Sequence, residues 1–214
     1  MLMRVNDIFY SLQGEGRHTG RAAVFVRFAG CNLRCSFCDT EFDTYREMTA
    51  DDIVAECSHL SPLTSHLSPL LVVLTGGEPT LQVDESFVDL LHRHGFKVSM
   101  ESNGTRPAPE NLDWLTVSPK VVNGKCAVTD AGKSPDELKL VFDEDTNPDA
   151  LLASLSAFRP SLAVPSASPL LYLQPCDTGD EARNKVITQA CIAYIKQHPQ
   201  WRLSLQTHKL ADFK

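Results

Sequence analysis

The sequence predicts an α/β fold, a parallel sheet whose strands are joined by crossover helices. Three observations carry this prediction. Short aliphatic runs recur at intervals too long for hairpins, helix-like patterns with cap signals lie between them, and several runs are apolar at every position. The last feature is what strands covered on both faces require. The chain has 214 residues and no stretch that reads as a linker, so a single domain spanning 1–214 is expected.

In chain order the strand candidates are Ala22–Phe28, Leu70–Leu74, Phe96–Met100, Trp114–Val117, Leu138–Phe142, Leu170–Leu173 and Arg202–Leu205. Leu70-Leu71-Val72-Val73-Leu74 has no polar position at all. Between the strands, Thr49 with Asp52 three residues on marks a helix start. A second helix runs from about Asp84 to His94, with Phe87, Leu90 and Leu91 on one face and Gly95 as its stop. A third covers about Pro148 to Phe158. The longest covers about Asp180 to Gln197, with Val186, Ile187, Ala190, Ile192, Ala193 and Ile195 as its apolar face. The pentapeptide His59–Leu63 recurs as His66–Leu70, too short a unit for a repeat architecture, and reads as a proline-punctuated connection. Val121 to Asp136 reads as a surface excursion. In parallel sheets ligands sit outside the carboxyl ends of the strands. Unusual clusters follow Leu74, Met100, Val117 and Leu173.

Apolar residues make up 43% of the chain and charged residues 22%, an ordinary globular balance. Lys and Arg number 20 against 27 Asp and Glu, a net charge of −7, with no basic run. That argues against nucleic acid or an anionic membrane as partner and points to a small-molecule substrate. The N-terminus lacks the basic-then-apolar order of a signal peptide, and no apolar stretch approaches the ~20 residues of a membrane span. A cytoplasmic location is expected. The seven cysteines are an odd number, more readily metal ligands, catalytic thiols or buried small hydrophobes than disulfide halves in a reducing compartment.

Their spacing is the strongest chemical signal. Cys31, Cys35 and Cys38 form C-x3-C-x2-C directly after a strand and Gly30. Thiolates this close can converge on one soft metal centre. Zinc and ordinary iron–sulfur sites usually take four protein ligands. Here Cys57, Cys126, Cys176 and Cys191 are scattered, and Cys57 and Cys191 fall in helical patterns as core residues. Three ligands leave one position for something that is not protein. A zinc loop borrowing Asp39 or a distant His is the competing reading.

Thr75-Gly76-Gly77-Glu78-Pro79 follows one strand, and Glu101-Ser102-Asn103-Gly104-Thr105 follows the next. With the cysteine loop, these segments resemble the radical S-adenosylmethionine (SAM) superfamily and its GGEP and ETNGT motifs. The resemblance implies a partial, open parallel β/α barrel of about six strands. It also implies a [4Fe–4S] cluster on Cys31, Cys35 and Cys38, whose fourth iron holds the amino and carboxylate groups of SAM. Gly77 matches the contact to the methionyl amino group.

The match reaches from Phe9 to Lys209. Phe9–Gly16, Arg27, Ser118-Pro119-Lys120, Gln174-Pro175-Cys176-Asp177 and Leu205–Lys209 together are similar to the 7-carboxy-7-deazaguanine synthase branch of that superfamily. Arginine makes bidentate contacts to carboxylates, so Arg27 suits a carboxylated heterocycle. By resemblance, Phe37, Cys38, Asp39, Gly77, Glu78, Ser118, Pro119, Lys120, Gln174, Pro175, Cys176 and Asp177 surround SAM. Leu12, Gln13, Gly14, Glu15, Arg27, Thr75, His208 and Lys214 surround the substrate. The implied reaction converts 6-carboxy-5,6,7,8-tetrahydropterin to 7-carboxy-7-deazaguanine with loss of ammonia, a lyase step of queuosine-precursor biosynthesis. Magnesium is implied on the Thr40 hydroxyl, although Asp39 and Thr40 equally suit a turn cap. A homodimer and a reductant such as flavodoxin or ferredoxin are further expectations.

Two positions depart from the pattern. Lys214 stands where relatives place a terminal proline, and Ser102 replaces a threonine, keeping the hydroxyl. Two other readings stay open at this point. One is another radical enzyme, such as a glycyl-radical activase acting on a protein. The other is a zinc-binding regulatory module.

Overall fold

The computed structural model describes residues 2–38, 41, 44–62, 69–122, 125–126, 133–155 and 168–214. The strands are β1 (Met3–Leu12), β2 (Ala22–Phe28), β3 (Arg46–Met48), β4 (Leu71–Gly76), β5 (Lys97–Ser102), β6 (Trp114–Val117), β7 (Val121–Val122), β8 (Lys125–Cys126), β9 (Glu137–Phe142), β10 (Leu170–Pro175) and β11 (Trp201–Leu203). The helices are α1 (Ala50–Leu60), α2 (Glu85–Arg93), α3 (Pro148–Ser154), α4 (Glu181–Gln197) and α5 (Thr207–Ala211). One sheet runs β11-β10-β9-β6-β5-β4-β2-β1-β3, and β7 with β8 forms a separate hairpin inside the expected surface excursion. From β2 to β11 every neighbour is parallel, seven strands where about six were expected. The edge strands β3 and β11 do not meet, so the sheet is an open, partial barrel.

Alternation along the strands sorts side chains into two layers. Val72 and Leu74 of β4, Val24 and Val26 of β2, and Val98 and Met100 of β5 share a core with Ile53 and Val54 of α1 and Phe87 and Leu91 of α2. Each fully buried aliphatic side chain of this layer is worth about 1.5–3 kcal/mol. Leu71 and Val73 turn the other way and pack with Phe9, Ala23 and Phe25. The consecutive apolar run at 71–74 thus fills both faces, as the sequence required.

The helix signals act as cap chemistry predicts. Thr49 accepts from the Asp52 N–H at 3.2 Å while Asp52 accepts from the Thr49 N–H at 3.0 Å. Asp84 caps α2 through the Phe87 N–H at 3.0 Å, and Gly95 leaves it at φ +82°. Helix α4 packs Ile187, Ala190, Cys191, Tyr194 and Ile195 against Leu140, Phe142, Leu173 and Trp201. Val186, expected on that face, is 53% exposed, because the true stripe starts one residue later. Helix α3 stops at Ser154 with Leu155 as C-cap, short of the expected Phe158; residues 156–167 lie outside the described residues.

Five of these elements are not expected from the sequence: β1, β3, β7, β8 and α5. Strand β1 pairs antiparallel with β2 but shifts register between Val5 and Asp7, which breaks the two-residue alternation that marks a strand. It extends the sheet past β2 and carries the Gln13–Gly16 segment to the barrel mouth. No helix among the described residues is long and apolar enough to cross a membrane.

Candidate functional site

A cavity of about 530 Å³ opens at the carboxyl ends of the parallel strands. Its walls are the inward-facing set of the alternation just described: Phe25 and Arg27 from β2, Val73 and Thr75 from β4, Glu101 from β5, and Lys139 and Val141 from β9. Loops following β2, β4, β5, β6 and β10 close the rim, together with the segment after β1 and helix α5.

The cysteine loop rests on the glycine pair after β4. A β-carbon on Gly77 would lie 1.9 Å from the Gly30 carbonyl oxygen, and Gly76 adopts φ +109° with its own missing β-carbon 2.3 Å from the Phe28 oxygen. Only glycine allows that approach. The Gly77 N–H then donates to Phe28 at 2.8 Å and the Glu78 N–H to Gly30 at 2.9 Å. The Gly-Gly pair therefore holds the base of the loop as well as lining the cavity. Glu78 is fully buried behind it, its carboxylate accepting from the Ser102 hydroxyl at 2.9 Å and the Asn103 N–H at 2.7 Å. Asn103 reaches the loop itself, donating to Asn32 at 3.0 Å and contacting the Cys31 sulfur at 3.8 Å. Cys31, Cys35 and Cys38 all face the cavity. Burial pushes the Cys35 thiol up, and Lys120 opposes that shift. The Lys120 ammonium lies 5.8 Å above the Phe37 ring and donates to Ser118 at 2.6 Å.

The floor is charged. Buried Lys139 donates to Glu15 at 2.5 Å and to Glu101 at 3.0 Å. Glu15 also accepts from Gln174 and from Gln206, each at 3.2 Å. Burial works against the Glu15 charge, but Lys139 outweighs it and holds this carboxyl below the ordinary range. Burial moves Glu101 the other way, with Lys139 opposing and Glu15 adding to the rise. Glu137, beneath them, accepts from the Arg17 N–H at 2.9 Å and is pushed up to about 7 by burial and by Glu101.

The opposite wall presents Arg27, whose guanidinium lies 5.3 Å over the Phe9 ring. Among the described residues no carboxylate pairs with it. Phe9 stacks on Phe25 with centroids 5.1 Å apart, and the Lys214 ammonium lies 4.6 Å from the Phe9 ring centroid while pairing with Asp7 at 2.6 Å. The Lys214 backbone oxygen accepts from the Ser11 hydroxyl. His208 is pressed against Gly14, where a β-carbon would meet the imidazole Nδ1 at 2.4 Å.

The chain resembles proteins of known identity along its whole length. Residues 25–123 match the model of the Radical SAM superfamily. A 7-carboxy-7-deazaguanine synthase from Bacteroides thetaiotaomicron is 44% identical, covering 100% of both chains. One from Bradyrhizobium diazoefficiens is 42% identical over 98% of each. The chain belongs to the 7-carboxy-7-deazaguanine synthase family. The crystal structure of QueE from Escherichia coli superposes with a TM-score of 0.75 at 27% identity, covering 96% of this chain and 94% of that one. The match does not favour the activase or zinc-module readings.

Membership in a radical SAM family implies a [4Fe–4S] cluster and SAM. The donor set fits them. Three thiols from one loop face a cavity large enough for a nucleoside, with Asn103 and Lys120 beside the sulfurs. Among the described residues no three His, Cys, Asp or Glu side chains converge tightly enough to hold a single ion.

Of the residues expected around cofactor and substrate, Leu12, Gln13, Gly14, Glu15, Arg27, Phe37, Thr75, Gly77, Ser118, Lys120, Gln174, Pro175, Cys176, Asp177, His208 and Lys214 line the same cavity as the cysteines. Glu78 and Pro119 do not line it. Asp39 and Thr40 lie outside the described residues. Lys139 and Phe25 line the cavity without having been expected there, and Phe9, Glu101 and Gln206 line it from segments that carried the resemblance without a role of their own. For Lys139 a signal existed: Glu137-Leu138-Lys139-Leu140 puts two charges on one face of an otherwise apolar strand.

Proposed function

We propose that this chain converts 6-carboxy-5,6,7,8-tetrahydropterin to 7-carboxy-7-deazaguanine with release of ammonia. The observation that carries the reading is one cavity joining the three-thiol loop to Arg27, which no carboxylate among the described residues pairs with, and a carboxylate-lined floor. Cys31, Cys35 and Cys38 would hold the cluster. Gly77, Ser118, Lys120 and the Gln174–Asp177 segment would hold SAM. Once bound, the pair supplies one-electron chemistry that removes a hydrogen atom from the substrate.

The chain's own residues bind, orient and exclude water. Arg27 receives the substrate carboxylate in a bidentate contact, with the Phe9–Phe25 stack beneath its guanidinium. Glu15, held ionised by Lys139, accepts from the N–H edge of the pterin. His208 packs over Gly14 and closes the cavity beside the substrate. The Thr40 hydroxyl would carry magnesium, which prefers oxygen ligands. An electron carrier of the flavodoxin or ferredoxin class, a homodimeric assembly and a cytoplasmic location belong to the same proposal on the strength of the resemblance. A single domain over 1–214 is supported by one sheet that takes in every described strand except β7 and β8.

The test uses pterin deuterated at C6 in anaerobic, cluster-loaded protein with SAM and a reductant. Deuterium appearing in 5′-deoxyadenosine is the expected result. Deoxyadenosine formed without deuterium, or no turnover of the pterin, contradicts the reading.

A further inference from the structure

The cavity floor holds a charge imbalance that the cofactor does not explain. Glu15, Glu101 and Glu137 surround one ammonium, Lys139; Lys139 and Glu137 are buried, while Glu15 and Glu101 keep 18% and 20% of their side-chain surface at the cavity wall. With all three ionised, Lys139 and Lys120 together would leave one negative charge uncompensated at this largely buried floor, an excess that proteins reduce by retaining a proton. Geometry says where. Glu15 has three donors, Lys139 at 2.5 Å and Gln174 and Gln206 at 3.2 Å each. Glu101 has two longer contacts, Lys139 at 3.0 Å and Gln13 at 3.3 Å. The better hydrogen-bonded carboxylate is Glu15, so the proton falls to its neighbours.

We propose that Lys139 is a positioning residue that makes Glu15 and Glu101 unequal partners for the ligand. Glu15 is the fixed carboxylate, and Glu101 is the carboxyl group that gives a proton to a ligand nitrogen and takes one back. In the first transfer an N–H bond forms on the ligand as the Glu101 O–H bond breaks, and Lys139 holds the carboxylate left behind. In the second, the carboxylate removes a proton from the ring, restoring the acid. This rests on the pterin reading for its chemistry: an amine leaves as ammonia only after gaining a proton, and a ring that becomes aromatic sheds one. The two transfers cancel, so no outside acid or oxidant is needed. The charged groups facing Glu101 are Lys139 and Glu137 from β9, Glu15 from the segment after β1, and Lys120 from the loop after β6. Burial raises the Glu101 carboxyl and Lys139 restrains that rise.

Infrared difference spectra of the full chain, recorded against pH without substrate, test the pair directly. A protonated-carboxyl band that disappears in Glu101→Gln is expected. In Lys139→Met its midpoint should rise by about one to three pH units, the usual reach of a neighbouring opposite charge. Lys139→Arg should return it most of the way. Should Lys139→Met not fold, Glu15→Gln gives the opposite sign, lowering the midpoint by removing a like charge. A band absent from the wild type, or a midpoint unmoved in both variants, overturns the proposal. The spectra need no turnover, so failure of the pterin assay with an intact band shift rejects the substrate and not the pair.

Discussion

Gly77 and Gly30 touch backbone to backbone, so close that a methyl group on Gly77 would stand 1.9 Å from the Gly30 carbonyl oxygen. The loop that carries the three cysteines starts at that contact. A glycine two strands away in the sequence thus sets where the thiols point. Gly77→Ala should cost about 1–3 kcal/mol of stability through forced backbone displacement. It should also lower iron content after reconstitution, which urea titration and iron analysis read separately. Full iron loading at unchanged stability would disprove this coupling.

Cys35→Ala removes one of the three thiols from a half-exposed loop without opening a core cavity. The variant should fold with a urea midpoint near that of the wild type, and it should lose the cluster's visible absorbance and all SAM cleavage. Thr40→Ala should instead weaken the response to magnesium while keeping the iron.

His208 is held in place by the absence of a side chain at Gly14. Gly14→Ala should push the imidazole off its seat and raise KM for the pterin by about tenfold, the loss of roughly one hydrogen bond to a charged group. Deoxyadenosine release without pterin should stay constant.

Asp177 sits at the rim with its carboxylate accepting from Lys209 at 2.7 Å, from the Gly179 N–H at 3.0 Å and from Asn184 at 2.7 Å. These bonds, that of Lys209 first, hold it down to about 2. In the unfolded chain it takes a proton near pH 4. Between those values the unfolded state binds more protons, so acidification drains stability from about pH 4 toward pH 2. Asp177→Asn should flatten that part of the stability curve and lower the plateau above pH 5, where the ionised carboxylate contributes in full. Urea midpoints at pH 3 and pH 6 make the comparison.

The parallel strands were legible because they bury both faces, as the wholly apolar run at 71–74 shows. The helix start at Thr49 was legible through its cap and those near Asp84 and Asp180 through their apolar faces; all three residues cap their helices. Strand β1 was not, because its register shift between Val5 and Asp7 erases the alternation. Helix α5 is too short for any periodicity to show. At the site, the loop motifs announced themselves by order along the chain, whereas Lys139 sits inside a strand where nothing but the parity of Glu137 and Lys139 marks it. The resemblance gives Gly77 a ligand contact, whereas the close approach of the Gly76–Gly77 pair to β2 and the cysteine loop shows only in the fold.

The central claim is that the three-thiol loop and the floor serve one reaction on one substrate. Anaerobically reconstituted wild-type protein, given SAM, dithionite and 6-carboxytetrahydropterin, provides the most direct measurement, with product absorbance and ammonia followed together. The account predicts a deazapurine spectrum and ammonia rising in equal amounts. Deoxyadenosine without either product, under conditions where iron and sulfide are fully loaded, would contradict it.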